Sequence, residues 1–170
     1  MAGAHTLSET ERQVSTLLKG MNIDFKAMAV VSNLFRAASA VRNHLEREIL
    51  SRHGLSWTGF VVLWVVWVWE SIETRTIAEE VGTSKASLTG VLKTLERDGL
   101  IIKKQSKIDR RLVLVTLTSD GRRMMKKIFP EFNKEEIFLA SFIKPAEQKG
   151  VADALRGITV RAKKENLKKN

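Results

Sequence analysis

The sequence contains no cysteine, and this single absence removes several classes of site. Without thiols the chain cannot form a disulfide, hold an iron–sulfur cluster, bind zinc through sulfur, or use a thiolate as a nucleophile or redox sensor. A reducing compartment is consistent with this composition.

The chain also lacks a long apolar run. The longest, residues 60–69, has ten residues and would span about 15 Å as a helix, half of the roughly 30 Å hydrocarbon core of a bilayer. We therefore expect a buried helix there and no association with membranes. Residues 1–10 show no basic segment followed by an apolar stretch, so we expect no signal peptide and a cytoplasmic protein.

Motifs typical of enzymes and metal sites are missing as well. The sequence has no glycine-rich phosphate loop, nucleophile motif or pair of catalytic carboxylates, so we expect no enzymatic activity and no cofactor. His44 and Glu48 lie four residues apart on a predicted helix, but neither His5 nor His53 is placed by sequence to complete a cation site. We interpret them as a surface pair and expect no bound metal.

Positive charge, in contrast, is abundant and local. The net charge is +10, and residues 84–127 hold 12 Lys and Arg against 4 Asp and Glu. Such a concentration on an otherwise nearly neutral chain is typical of a nucleic-acid-binding module, although a solvated basic face would give the same count. A second basic segment, residues 161–170, is interpreted as a frayed, solvated end.

The first third of the chain is predicted to be helical. A capping box formed by Ser8 and Glu11 predicts a short helix, and apolar residues at helical spacing predict a long helix over residues 23–52. Residues 57–70 predict a further helix that is apolar nearly all round and should be enclosed on every side.

A helix-turn-helix followed by a hairpin is predicted in the basic block. Thr76 begins a short helix that Gly82 ends, and Ser84 caps a second helix with an apolar stripe inside and small, polar and basic residues outside. Residues 100–105 and 112–118 predict two strands joined by a basic tip. This combination is typical of a winged helix that binds DNA.

The last third is again predicted to be helical. Ser119 is predicted to cap a long helix that is bent or broken at Pro130. Helical pattern returns over residues 135–142, and residues 146–168 predict a final helix.

The chain resembles the multiple antibiotic resistance regulator (MarR) family of winged-helix transcription regulators over roughly residues 25–142. The resemblance rests on residues 76–100 (TIAEEVGTSKASLTGVLKTLERDGL) and on residues 109–121 (DRRLVLVTLTSDG), of which the second segment is the more specific.

The resemblance implies a mainly α-helical fold with a small β wing, as one domain over residues 1–170. The winged helix-turn-helix would occupy residues 57–125, and helices within residues 8–52 and 126–168 would form a homodimer. Periodicity alone is equally compatible with packing of the apolar end residues within one subunit. The dimer candidates are Leu17, Leu18, Phe25, Phe138, Phe142, Leu155 and Ile158.

DNA contacts are implied for the second helix of the motif and for the wing. In the family an Asp orients the wing tip and an Arg enters the minor groove, and these fall on Asp109 and Arg111. The proline often found before this Asp is absent, and from the residues alone Asp109 is also a common turn residue. The predicted contacts are Ser84, Lys85, Ser87, Thr89, Lys93, Lys107, Asp109, Arg110 and Arg111.

An effector pocket is implied between the long helix, the apolar helix that follows it, and the helix after the wing. Tryptophans are more often core or interface residues, whereas the resemblance adds a role around a flat or lipophilic ligand. The candidate lining is Asn33, Arg36, Arg42, Asn43, Trp57, Phe60, Val61 and Trp64.

Taken together, these features predict a homodimeric, sequence-specific regulator that binds double-stranded DNA. It is expected to be a repressor released from a pseudo-palindromic operator by a small aromatic or lipophilic effector. The alternative is a non-specific architectural DNA-binding protein, for which the basic wing would suffice.

Overall fold

The structure is a computed structural model that describes residues 6–167, with side chains for residues 6–163. The chain divides into two compact units, Met1–His44 and Leu45–Asn170.

Three features singled out in the sequence lie wholly or partly outside the described residues. The helix predicted over residues 146–168 ends one residue past them, and the basic segment 161–170 is described only in part. His5 also lies outside them.

The first unit consists of a short helix and most of a long one. Helix α1 spans Leu7–Leu17 and helix α2 spans Phe25–Glu48. The capping box predicted at Ser8 is wrong, because the helix already includes this residue. The cap is Thr6, whose Oγ1 accepts the N–H of Glu9 at 3.2 Å.

The second unit begins with the end of α2 and a single 3₁₀ turn over Leu50–His53. Gly54 ends this turn in the left-handed conformation, with φ 67°, which few residues other than glycine adopt easily. The helix predicted over residues 23–52 is therefore real but shorter at both ends.

Helix α3 spans Trp57–Trp69 and lies at the centre of the second unit's core. Ser56 caps it by accepting the N–H of Gly59 at 3.1 Å. Within the single chain its last turn is not enclosed, because Val68 and Trp69 are 51% and 64% exposed. The most completely buried side chains of the unit are Leu45, Leu50, Val62, Leu63, Val66, Ile77, Ile101, Val115, Met125 and Ile128.

A small antiparallel sheet follows from three short strands. Strands β1 (Ser71–Glu73), β2 (Ile101–Gln105) and β3 (Val113–Leu117) lie in the order β1-β3-β2. The last two agree with the predicted hairpin. Strand β1 has only three residues and no local signal, and it exists because Ile72 pairs opposite Val115.

The helix-turn-helix consists of α4 (Thr74–Val81) and α5 (Lys85–Arg97). The start predicted at Thr76 is wrong, because β1 runs directly into the helix. Glu73 occupies the cap position without making a side-chain capping bond.

Two long helices complete the chain. Helix α6 spans Ser119–Ala140, and helix α7 spans Pro145–Leu167, with its proline in the first turn as predicted. The break predicted at Pro130 is wrong, since α6 continues through it. Pro130 is exposed, whereas Ile128 and Phe132 on the other side of the helix are buried and hold it against the core.

Within the described residues, the structure contains no candidate membrane span and no candidate metal cluster. No helix in residues 6–167 is long and apolar enough to cross a bilayer. No group of three or more His, Cys, Asp or Glu residues in the same part of the chain is placed to hold a metal ion.

Candidate nucleic-acid interface

The turn between α4 and α5 is fixed by a glycine and two serines. Gly82 ends α4 in the left-handed conformation, with φ 69° and ψ 36°. Ser84 is the cap of α5, as predicted: its Oγ accepts the N–H of Ser87 at 3.1 Å, and its hydroxyl donates to Ser87 Oγ at 3.0 Å. Two of the predicted DNA contacts therefore also hold the start of the helix.

Helix α5 is divided into a buried and an open face. Its inward side chains, Leu88, Leu92 and Leu95, are buried. A Cβ added to Gly90 on the outward side would meet no atom within 4 Å, so no described part of the chain covers the helix at this position. The predicted contacts on and before this helix are all exposed, namely Ser84, Lys85, Ser87, Thr89 and Lys93.

The wing is the β2–β3 hairpin, and a buried serine organises its tip. Ser106 is 8% exposed, and its Oγ accepts the N–H groups of Ile108 and Asp109 at 3.2 and 3.3 Å. Its own N–H donates to the carbonyl of Leu112 at 2.9 Å. These hydrogen bonds hold the backbone of the wing tip in place. Ser106 is not among the predicted site residues, although a serine opening a turn is a recognisable signal.

Asp109 and Arg111 form a two-point contact at the wing tip. Asp109 Oδ1 accepts the backbone N–H of Arg111 at 2.9 Å and its Nε–H at 3.0 Å, while Oδ2 accepts from Nη2 at 2.8 Å. This geometry restricts the guanidinium, yet the Arg111 side chain remains 89% exposed. It is the arrangement that an orienting Asp requires.

The same contact changes the acid–base behaviour of both groups. The hydrogen bond from the Arg111 guanidinium, and then that from its backbone N–H, lowers the pKa of Asp109. Asp109 in turn raises the pKa of Arg111.

We expect the Asp109 carboxyl of the folded protein to titrate below its ordinary pKa of 3.8. Folding lowers the pKa of Asp109, so the contact stabilises the ordered tip fully at pH values above the ordinary pKa of the carboxyl. This stabilisation is lost as the pH falls through the lowered pKa of the folded protein. A carbon-13 NMR titration of the carboxyl measures this directly.

Two variants control that titration. Arg111→Met should move the pKa of Asp109 back towards its ordinary value, and Arg110→Met, at the adjacent exposed position, should leave it lowered. An Asp109 that titrates identically in the wild type and in Arg111→Met would contradict the two-point contact.

Helix α5 and the wing line one concavity of about 570 Å³. Lys85 and Thr89 of α5 meet Arg111 of the wing there, so the structure brings together predicted contacts from distant segments. Arg75 and Lys103 add positive charge to the same lining and are not among the predicted residues. The remaining predicted contacts lie outside the lining: Ser84, Ser87, Lys93, Lys107, Asp109 and Arg110.

Two contacts fix the root of the wing against the helices. Glu96 Oε2 pairs with Lys103 Nζ at 2.7 Å and joins α5 to β2. Thr118 Oγ1 accepts the N–H of Gly121 at 3.0 Å and donates to the carbonyl of Gly99 at 2.7 Å. Thr118 thus caps α6 and ties it to the segment before β2, which corrects the prediction that the next residue is the cap.

The predicted effector residues divide between the two units. In the first unit, Asn33 Nδ2 donates to Glu11 Oε1 at 2.8 Å, and Arg36 Nη1 lies 3.9 Å from the same oxygen. Arg42 and Asn43 are exposed on α2.

In the second unit the predicted effector residues all lie on α3, namely Trp57, Phe60, Val61 and Trp64. Phe60 stacks on Phe132 with ring centroids 4.4 Å apart, and Trp64 stacks on Phe129 at 4.8 Å. These contacts join α3 to α6 in one aromatic cluster. Phe129 and Phe132 are absent from the predicted lining, because nothing in the sequence near them shows which helix they face.

The predicted dimer residues remain largely open on the described chain. The exposed ones are Leu17, Phe138, Phe142 and Leu155, and the half-buried ones are Leu18, Phe25 and Ile158. Phe142 is the extreme case, with 98% of its surface exposed. Large exposed apolar side chains favour an interface with another molecule over packing within one subunit.

Comparison with known proteins agrees with this arrangement. The sequence profile of the MarR family matches residues 55–113. The helix-turn-helix transcriptional regulator YwaE of Bacillus subtilis is 37% identical over 155 residues, covering 89% of this chain and 91% of that protein.

Solved structures share the fold. That of BpsR from Bordetella bronchiseptica is 25% identical with a TM-score of 0.69, covering 77% of this chain and 98% of that one. AbsC, a MarR family regulator from Streptomyces coelicolor, has a TM-score of 0.75 at 17% identity, covering 83% and 97% of the two chains. The predicted mainly α fold with a small β wing is confirmed. The chain therefore belongs to the MarR family of winged-helix transcriptional regulators, which bind DNA.

Proposed function

We propose that the protein is a sequence-specific repressor that binds a pseudo-palindromic operator as a homodimer and leaves it when a small aromatic or lipophilic molecule binds. The observation that carries the proposal is the concavity that Lys85, Thr89 and Arg111 line together. A helix in the major groove and a cation in the adjacent minor groove read different parts of one site, which gives more specificity than a basic surface alone.

The proposed contacts have different roles. The exposed face of α5 enters the major groove, and the free backbone N–H groups at its start donate to phosphate oxygens. Lys107 and Arg110 contact phosphates beside the wing, while Asp109 positions Arg111. Because phosphate contacts release counterions, operator affinity should fall steeply as the salt concentration rises.

The proposed homodimer uses the helical parts on either side of the winged helix. Residues 57–125 form each reading head, and residues 8–52 and 126–168 supply the interface. The described part of these ranges exposes the apolar side chains of Leu17, Phe138, Phe142 and Leu155. Two heads spaced by one helical turn of DNA contact one face of a palindrome, and their binding free energies roughly add.

The proposed effector class is supported by the aromatic cluster of α3 and α6. Trp57 and Trp64 are half-buried and offer flat apolar surfaces with one polar N–H each. The related BpsR supports an aromatic effector, since its DNA binding is regulated by 6-hydroxynicotinic acid. A ligand that prefers a spacing of the two heads unsuited to the operator lowers DNA affinity by linkage.

Tryptophan fluorescence provides the test of the effector site. All four tryptophans lie on α3, so a monocyclic aromatic carboxylate that binds there should quench the emission saturably. Trp64→Phe should remove most of this response, and Trp69→Phe, at the exposed end of the helix, should retain it. A compound panel that neither quenches the wild type nor releases DNA would contradict the effector proposal.

Transcription in vitro from the promoter upstream of the protein's own gene tests the repressor role. Added protein should lower the amount of transcript, and an effector identified by quenching should restore it. A transcript that increases with added protein would instead identify an activator.

A further inference from the structure

The wing tip, residues 106–112, presents an isoleucine that the rest of the chain does not cover. Ile108 has 100% of its surface exposed, the largest fraction among the bulky apolar side chains of the described residues. It is absent from the predicted DNA contacts and from the lining of the concavity between α5 and the wing. Single exposed apolar residues are common on protein surfaces, so a role for Ile108 has to follow from its surroundings.

The backbone that carries Ile108 is held in place by hydrogen bonds. The N–H groups of Ile108 and Asp109 donate to Oγ of the buried Ser106 at 3.2 and 3.3 Å. The N–H of Ser106 donates to the carbonyl of Leu112 at 2.9 Å, and the N–H of Leu112 donates to the carbonyl of Asp109 at 3.0 Å. These bonds close the tip, so Ile108 is already presented to solvent in the free protein and loses little conformational entropy on binding.

Positive charge surrounds this apolar side chain. Residues 103–111 hold five Lys and Arg against one Asp, and Asp109 restrains the guanidinium of Arg111 three residues after Ile108. An apolar protein surface that covered Ile108 would also desolvate these charges, whereas DNA pairs them with phosphates. The minor groove also accepts apolar side chains, which insert where two base pairs partly unstack. The charges around Ile108 therefore favour DNA as its partner.

We propose that Ile108 is an apolar wedge that enters the minor groove beside Arg111, partly unstacks one base step and bends the operator. This inference rests on the proposed function, since it requires that the wing binds the operator. Isoleucine has no side-chain group that hydrogen-bonds to a base edge, so its specificity comes from how easily the step opens. Pyrimidine–purine steps such as TA open easily, and the wing prefers them for this reason.

The variant Ile108→Ser tests the proposal with DNA from upstream of the protein's own gene. Fluorescence anisotropy should show binding about tenfold weaker than in the wild type, because apolar surface that the DNA covers is lost. Circular-permutation gel shifts should show a bend of about 20–90° with the wild type and little bend with the variant. The slope of log affinity against log salt should stay unchanged, because no phosphate contact is removed. Ile108 buries no surface within the chain, so the variant should fold as the wild type does.

Two further variants serve as controls. Ile102→Ser removes an isoleucine of the same hairpin that is 40% exposed on β2, outside the tip, and should keep both the affinity and the bend. Ile108→Met keeps a large apolar side chain at the tip and should also keep both.

Several outcomes would overturn the proposal. These are a straight operator in the wild-type complex, wild-type affinity and bend with Ile108→Ser, an equal loss with Ile102→Ser, or a salt slope that falls together with the affinity. Each of them, observed in a complex that resists unrelated competitor DNA, overturns this inference and leaves the proposed function intact. A wild-type protein that forms no such complex with this DNA would contradict the proposed function and this inference together.

Discussion

Replacing Arg111 by Ala should lower operator affinity about 100-fold without unfolding the protein. A cation that reads a groove contributes about 1–3 kcal/mol, and the proposed dimer presents Arg111 twice. Its side chain is 89% exposed, so the core is unaffected by its removal. The slope of log affinity against log salt should also fall by about 2. Fluorescence anisotropy at several salt concentrations measures both quantities.

The control for Arg111→Ala is Arg47→Ala. Arg47 is also an exposed arginine paired with a nearby carboxylate, Glu48, at 2.7 Å. Its removal changes the net charge by the same amount and should leave operator affinity within about twofold. Equal losses in the two variants would show that only the total charge matters.

The variant Asp109→Asn distinguishes the orienting effect of Asp109 on Arg111 from the effect of its negative charge. The substitution removes a negative charge from the wing, so attraction to phosphate alone predicts tighter binding. The two-point contact predicts the opposite, because the guanidinium loses its ionic partner and binding should weaken about tenfold. Tighter binding by Asp109→Asn would contradict the orienting role.

Gly121→Ala should destabilise the protein by about 3 kcal/mol, the upper end of what overpacking usually costs. A Cβ at this position would lie 2.1 Å from the carbonyl oxygen of Leu100. The oxygen is a backbone atom, and the backbone fixes the position of the Cβ. No side-chain rotation therefore relieves the clash. The first turn of α6 would have to separate from the segment that leads into β2. Urea unfolding should show the loss, and the Tm should fall by roughly 6–12 °C.

Gly90→Ala is the matched control for that experiment. Gly90 is also helical, and its added Cβ would meet no atom within 4 Å. Helix propensity predicts a gain of about 1 kcal/mol, so the two variants should change stability in opposite directions. A Gly121→Ala protein as stable as the wild type would contradict the close packing of α6 on Leu100.

The best-predicted elements are those in which local signals and tertiary packing agree. Helix α5 has a serine cap and an apolar stripe of leucines, and both keep their predicted roles. The last residues of strand β3 are alternately buried and half-buried, and the strand pairs with β1 on one side and with β2 on the other.

Helix starts depended more on contacts that the sequence does not display. Thr118 and Ser119 are both possible caps, and Thr118 is selected because its hydroxyl also donates to the carbonyl of Gly99. Helix α4 begins at Thr74 because strand β1, which pairs with a much later strand, runs directly into it. Pro130 failed to end α6 because packing of the buried face outweighs the loss of one hydrogen bond.

The chemistry of the candidate site was more predictable than its geometry. The charges and hydroxyls of α5 and the wing follow from composition and motif. Only the folded sheet brings Lys85, Arg111 and Arg75 into the lining of one concavity. Ser106 likewise acquires its role from burial, which brings its hydroxyl beneath two N–H groups of the tip.

Sequence-specific recognition by α5 and the wing is the central claim, and a competition gel shift with DNA from upstream of the protein's own gene tests it most directly. In the presence of a large excess of unrelated DNA, we predict that the complex with this DNA persists. A complex that any competitor DNA removes equally well would contradict the claim and favour a non-specific architectural protein.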